Sequence, residues 1–318
     1  MASSLHPDLL PVGRLAPRVS FTPRTLRLVR WLTGLRKAPH LPRVDGVVAE
    51  DHAAPAPDGG RPVPVRVYRP ADVDAPVPAL LWLHGGGYII GDAYQDEKAN
   101  LALVRELGIA VATVDYRLAP EEPAPAATDD GYAALRWLHD SADELGVDPA
   151  RIAVGGASAG GGLAAGVALI AHDRGEVPVA FQLLIYPMLD DRTVTRADVD
   201  DRHCRMWTAR SNRFGWSAYL GAEPGTDDVS AYAAPARRED LSGLAPAWIG
   251  VGTCDLFHDE DLVYADRLAD AGVTCELHVT PGGYHAFDLV QAKAGVSRAF
   301  RASWVEALRV ALFDDSSA

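Results

Sequence analysis

From residue 46 onward the chain alternates short apolar runs with amphipathic stretches. The run at 79–83, Ala-Leu-Leu-Trp-Leu, has no polar position, as a strand buried on both faces requires. Further short, mostly apolar runs that read as strands lie at 109–115, 151–155, 181–186, 248–252 and 275–279. Between them, apolar positions recur three and four apart, which predicts helices at 97–107, 128–145, 161–173 and 258–271, with a last one at 298–312. Asp148-Pro149 reads as a break ahead of the strand at 151–155. Earlier in the chain, 46–54 and 63–68 read as a hairpin turning at Asp58-Gly59-Gly60. Pro64 has no N–H to give a ladder, so the second strand is expected at a sheet edge. Eight strands with helices between most of the later ones predict an α/β fold, a mostly parallel sheet covered on both faces.

Two stretches break this alternation. The first 45 residues are basic and dotted with proline, with one helical stretch at 22–35. There Leu26, Val29, Leu32 and Leu35 recur every third residue and are expected to share one apolar face. The second stretch, 189–221, begins charged and becomes aromatic, with Trp207, Phe214, Trp216 and Tyr219. A long insertion after a strand is usually functional rather than plain linker.

Composition narrows the classes. The 318 residues are 48% hydrophobic and 23% charged, ordinary for a globular chain with a real core. The 30 basic and 43 acidic residues leave a formal charge of −13, which opposes a phosphate backbone and an anionic membrane alike. Neither nucleic acid nor membrane is an expected partner. Cys204, Cys254 and Cys275 are odd in number and show no CxxC spacing, so free thiols in a reducing compartment are expected. Pro7, Pro11 and Gly13 interrupt the start of the chain, and no unbroken apolar run follows, which points to a cytoplasmic location.

The chemistry sits at strand ends. Gly156-Ala157-Ser158-Ala159-Gly160 follows the run at 151–155 and opens a helix. In that context G-x-S-x-G is a nucleophile elbow, with Ser158 lifted above the sheet edge. His84-Gly85-Gly86-Gly87 follows the run at 79–83. Three glycines clear side chains from a loop whose amides can face an oxyanion, so Gly85, Gly86, Gly87 and Ala159 are the candidate donors, Gly86, Gly87 and Ala159 above all. Asp255 stands just past the run at 248–252 and is the candidate acid, with Asp259 and Glu260 as alternatives. Asp259, Glu260 and Asp261 read more simply as first-turn acids of the following helix. His285, in Gly-Gly-Tyr-His-Ala-Phe after the last strand, is the candidate base. The order Ser, Asp, His is the order in which α/β-hydrolases supply a triad. His84 is expected to hold the glycine loop, His258 to sit near a helix start, and the other histidines lack a motif.

These residues resemble the bacterial hormone-sensitive-lipase-like esterases, a branch of the α/β-hydrolases. The resemblance runs from about residue 60 onward through His84–Gly87, Asp115-Tyr116-Arg117-Leu118-Ala119-Pro120-Glu121, the elbow, Tyr186-Pro187, 255–260 and 284–287. Two positions depart from the pattern: Ala157 stands where an acid or threonine is frequent, and Leu256 where proline is frequent. The resemblance implies a single catalytic domain, a helical cap from about 1–45 and 189–221, and cofactor-free hydrolysis of small-molecule, short-chain esters. A homodimer is common in the family. The cap aromatics would then line the pocket or pack cap onto core. Dehydratases and non-catalytic ligand-binding proteins share this scaffold, and the presence of His285 argues against the latter.

Overall fold

Strands without a polar position need cover on both sides, and the computed structural model builds the sheet accordingly. It describes residues 4–34, 41–56, 59–73, 75–198 and 201–314. The strands are β1 (Val47–Ala54), β2 (Val63–Pro70), β3 (Val77–Leu83), β4 (Ala110–Val114), β5 (Val147–Ala157), β6 (Phe181–Ile185), β7 (Ala247–Gly252) and β8 (Cys275–Thr280). They form one sheet in the order β1-β2-β4-β3-β5-β6-β7-β8. The β1–β2 and β2–β4 pairs are antiparallel and the rest parallel.

The helices are α1 (Leu10–Gly13), α2 (Pro23–Gly34), α3 (Glu97–Leu107), α4 (Ala126–Asp140), α5 (Ala142–Leu145), α6 (Ala159–Arg174), α7 (Ala209–Leu220), α8 (His258–Asp270), α9 (Phe287–Val290) and α10 (Gly295–Phe313). The two-residue period of β3 sorts the layers. Leu81 and Leu83 join Leu135 of α4, Leu163 of α6 and Tyr264 of α8 in one core. Leu80 and Trp82 join Val104 of α3 and Phe300 and Leu308 of α10 in the other. Parallel strands β3 to β8 therefore open their carboxyl ends along one edge, where the loops that carry the candidate residues emerge.

Four local expectations are corrected. The strand bearing Pro64 is not at the edge, since β2 pairs with β1 on one side and β4 on the other. The ladder with β4 starts at Val65, and Pro64 only accepts there, from the Asp115 N–H at 3.0 Å. Its missing donor falls on the end rung, where it costs least. Asp148-Pro149 lies inside β5 rather than ahead of it, in a register shift opposite Val77 and Ala79. The Asp148 carboxylate closes that irregularity by accepting from the Ala150 N–H (3.0 Å) and Arg151 Nε (2.7 Å). The helix expected at 128–145 is divided at Ser141, whose N–H returns to the Trp137 carbonyl, with no Gly or Pro to announce it. On α2, Leu26 is buried and Val29 packs on the core, but Leu32 is 52% exposed. A spacing of three drifts around a helix of 3.6 residues per turn, which carries Leu32 off the buried face. Leu35, His40 and Asp58 lie outside the described residues.

Candidate active site

At the end of β5 the chain turns so sharply that Ser158 takes φ 59° and ψ −122°, a conformation L-residues rarely adopt. Glycine is required around it by contact. A Cβ on Gly156 would stand 2.4 Å from the Gly160 carbonyl carbon, and one on Gly160 would stand 2.0 Å from the Leu83 oxygen. The strained turn is held by the Ser158 N–H donating to Ile185 (2.9 Å) and by its carbonyl accepting from Gly162 and Met188 (3.0 Å each). Ala159 opens α6, so its N–H belongs to the first turn, which has no intrahelical acceptor, at the positive end of the helix dipole.

The glycine loop leaves β3 alongside. A Cβ on Gly85 would stand 2.9 Å from the Ala157 carbonyl oxygen, so a side chain there would press on the backbone that carries the serine. Gly86 and Gly87 have φ 136° and 59°. The Gly86 carbonyl accepts from Ile89 and Ile90 (3.1 Å each), which curls the loop into a turn. His84 anchors it as expected, donating from Nδ1 to the Gly85 carbonyl at 2.9 Å. Tyr116 stacks on the His84 ring at 4.1 Å, and its hydroxyl donates to the His84 carbonyl at 2.6 Å. Burial holds His84 below the usual histidine range, so it is a neutral brace. The run 115–121 thus works structurally. Asp115 accepts from the Ala93 N–H, Arg117 pairs with buried Asp130, and Glu121 pairs with Arg30 of α2.

Asp255 and His285 meet because the β7 and β8 ends come into backbone contact. A Cβ on Gly252 would stand 2.1 Å from the Gly283 oxygen, and the Cys254 N–H donates to that same oxygen at 2.8 Å. His285 Nδ1 donates to Asp255 Oδ2 at 2.8 Å, and the other carboxylate oxygen accepts from the Phe257 N–H at 3.1 Å. A carboxylate only accepts, so Nδ1 carries the ring proton and Nε2 is left as acceptor. It faces the Ser158 hydroxyl at 2.9 Å. Ser158, Asp255 and His285 are all buried, which shields this chain of hydrogen bonds from water.

The alternative acids point elsewhere. Asp259 is exposed and pairs with His258 (2.8 Å) and Arg196 (2.9 Å). Glu260 and Asp261 are more than first-turn acids, because both are buried. Glu260 accepts from the N–H groups of Leu189 (2.8 Å) and Asp190 (3.1 Å) and from the Thr193 hydroxyl. Burial pushes its carboxyl up to about 8, and pushes Asp261 well above the usual carboxylate range. Local pattern gave no sign of this, since the partners lie some 70 residues away in sequence.

The two stretches outside the alternation meet each other. Met206 donates to the Pro17 carbonyl at 2.8 Å, the Ser211 hydroxyl donates to Val19 at 2.7 Å, and Phe21 packs on Trp207 at 5.8 Å. Trp216 and Tyr219 are fully buried, with Tyr219 stacked on Tyr88 at 3.9 Å, so they pack the insertion onto the core. Trp207 lies over Gly87, and Phe214 packs partly buried on the same core. The thiols of Cys204, Cys254 and Cys275 are free, the first two buried and the third half-buried. Among the described residues no helix is long and apolar enough to cross a membrane.

Comparison with known proteins shows the family. A family profile described as alpha/beta hydrolase fold matches residues 80–289. The carboxylic ester hydrolase LipN of Mycobacterium tuberculosis is 38% identical over 268 residues, covering 82% of this chain and 70% of LipN. An ethyl acetate hydrolase of Pseudomonas putida is 36% identical over 231 residues, covering 72% of each chain. Among solved structures, a bacterial heroin esterase superposes with a TM-score of 0.89 at 44% identity, covering 97% of this chain and 98% of that one. The chain belongs to the α/β-hydrolase family, in its hormone-sensitive-lipase-like branch, and is a carboxylesterase.

Proposed function

We propose that this carboxylesterase cleaves short-chain acyl esters, with Ser158 as nucleophile, His285 as general base and acid, and Asp255 as the residue that orients His285. The observation that carries the reading is the unbroken chain from Ser158 Oγ through His285 to Asp255, at 2.9 and 2.8 Å. Ser158 attacks the ester carbonyl while His285 Nε2 takes its proton. The same nitrogen then returns the proton to the leaving alcohol, and Asp255 stabilises the imidazolium in between. N–H groups of Gly86, Gly87 and Ala159 receive the oxyanion, and Gly85 gives the backbone room beside the serine. One such donor is worth about 3 kcal/mol of barrier. Water repeats the cycle on the acyl-enzyme.

The N-terminal segment and the insertion at 189–221 act together as a cap over Ser158, joined by the Phe21–Trp207 contact and the hydrogen bonds to Val19. Trp207, pressed on Gly87, limits the room beside the reacting carbonyl. The similarity to an ethyl acetate hydrolase supports a small acyl group. A p-nitrophenyl ester series from acetate to palmitate, run with Ser158→Ala beside the wild type, tests this. Serine-dependent turnover that falls beyond butyrate or hexanoate is expected. Equal turnover of palmitate would overturn the short-chain assignment, and near-normal hydrolysis by Ser158→Ala would overturn the nucleophile.

A further inference from the structure

A second carboxylate lies close to His285. Tyr186, at the end of β6, is buried and takes φ 36°, with its N–H bound to the Gly250 carbonyl at 2.7 Å. A non-glycine residue held at positive φ is strained, so the surrounding structure is enforcing this side-chain direction. The ring it aims packs edge-on against the His285 imidazole at 4.9 Å and stacks on Phe300 at 6.2 Å. Its hydroxyl donates to Asp288 Oδ1 at 3.0 Å. Phe257 packs edge-on against the imidazole as well, at 5.2 Å.

We propose that Asp288 is a positioning residue for ester hydrolysis, which holds Tyr186 against His285 and sets a second negative charge near the imidazolium formed when Ser158 loses its proton. This rests on the reading of His285 as the base. Asp255 fixes the Nδ1 side of the ring through a hydrogen bond, whereas Tyr186 fixes the ring plane through packing. Asp288 acts through Tyr186 and through its field, and it touches no reacting atom.

Among the described residues, the charged and titratable groups around Asp288 come from several segments. Tyr186 faces it from the end of β6, while His285 and Tyr284 come from its own loop, and Arg205 of the insertion acts on Tyr284 through its charge. Asp255 and Asp96 act on the Tyr186 hydroxyl from further off. Burial pushes the Asp288 carboxyl up to about 6, and the Tyr186 hydroxyl and nearby N–H groups oppose that rise. Asp288 thus loses its charge in the pH range where histidines usually gain theirs. Each protonation works against the charge relationship that supports catalysis, so the acid limb of activity is steeper than a single proton allows.

The test is the pH profile of kcat/KM for wild type, Asp288→Asn, Asp288→Glu and Tyr186→Phe on p-nitrophenyl acetate. Asp288→Asn should lose about tenfold in kcat/KM near neutral pH and move the limb's midpoint down by about half a pH unit or more. Its limb should also become single-proton. Asp288→Glu should restore part of both effects, and Tyr186→Phe should show a smaller loss. A profile for Asp288→Asn that overlays wild type would overturn the proposal. If Asp288→Asn does not fold, a single-proton wild-type limb together with an unchanged Tyr186→Phe profile would overturn it as well. His285→Gln in parallel separates the two readings. If it is inactive while Asp288→Asn is unaffected, only this inference fails; if it is active, the base assignment fails.

Discussion

Trp207 of the insertion lies so close over Gly87 of the glycine loop that a Cβ on the glycine would stand 2.1 Å from its ring. One contact therefore joins the N-terminal segment, through Phe21, to the backbone beside Ser158. Gly87 also has φ 59°, so a side chain there meets both backbone strain and the indole. Gly87→Ala should keep its far-UV circular dichroism and lose about 10²-fold in kcat, the scale of losing one oxyanion donor. Gly87→Ala with Trp207→Ala should regain part of that loss, because the clash is gone and only the strain remains. Steady-state kinetics of the two variants decide it, and no recovery in the double variant would place the defect in the backbone alone.

The acid can be assigned by comparing two carboxylates. Asp255→Asn removes the acceptor that fixes the His285 tautomer and should lower kcat by about 10³–10⁴-fold. Asp259→Asn, whose side chain is paired outside the site with His258 and Arg196, should stay within about threefold of wild type, as surface ion pairs contribute little. A larger fall for Asp259→Asn than for Asp255→Asn would reverse the assignment.

Glu260 makes stability depend on pH. Burial pushes its carboxyl up to about 8, so the folded chain keeps this proton after the unfolded chain has released it. Between the ordinary carboxylate range and about pH 8, folding takes up a proton, and stability falls as pH rises. Glu260→Gln keeps an oxygen for the Leu189 and Asp190 N–H groups but does not titrate. Its unfolding free energy relative to wild type, followed by thermal melts, should climb from about pH 5 to about pH 8 by an amount on the order of 4 kcal/mol. Parallel melting curves across that range would show that Glu260 is charged throughout. Glu260→Ala should be destabilised at every pH, since each buried N–H it strands costs about 1–3 kcal/mol.

Half-buried Arg237 holds Asp191 in a bidentate pair at 2.6 and 2.9 Å, and Asp191 also accepts from the Gly225 N–H at 2.6 Å. Asp191 is fully buried. Arg237→Leu leaves that carboxylate without its cation and should lower the unfolding free energy by about 3–5 kcal/mol. Adding Asp191→Asn should recover part of it. Urea denaturation of the single and double variants measures both, and a loss below about 1 kcal/mol in the single variant would mean that the pair contributes no more than an exposed one.

Much of this molecule was legible in one dimension because its constraints are local. Gly156 and Gly160 are legible since no other residue fits where β5, α6 and the Leu83 carbonyl converge. Strands β3 and β7 are legible since a strand covered on both faces has no polar position to spare. Asp255 and His285 stand on loops after strands, so their convergence at one sheet edge follows once the strands are parallel.

What the sequence by itself determined was therefore the strand–helix alternation, the elbow, the glycine loop and the order of Ser158, Asp255 and His285. What only the tertiary structure decided was where partners from distant segments fall. Pro64 occupies an inner strand because the β4 ladder stops one residue short of needing its N–H. Leu32 faces outward although it keeps its spacing from Leu26 and Val29. Glu260 looks like an ordinary helix-start acid, and Asp288 stands in no motif of its own, until Leu189, Thr193 and Tyr186 are brought to them. A buried polar group is defined by what folding places against it, and for these residues that contact spans about 70 to 100 positions of sequence, beyond the reach of any local pattern.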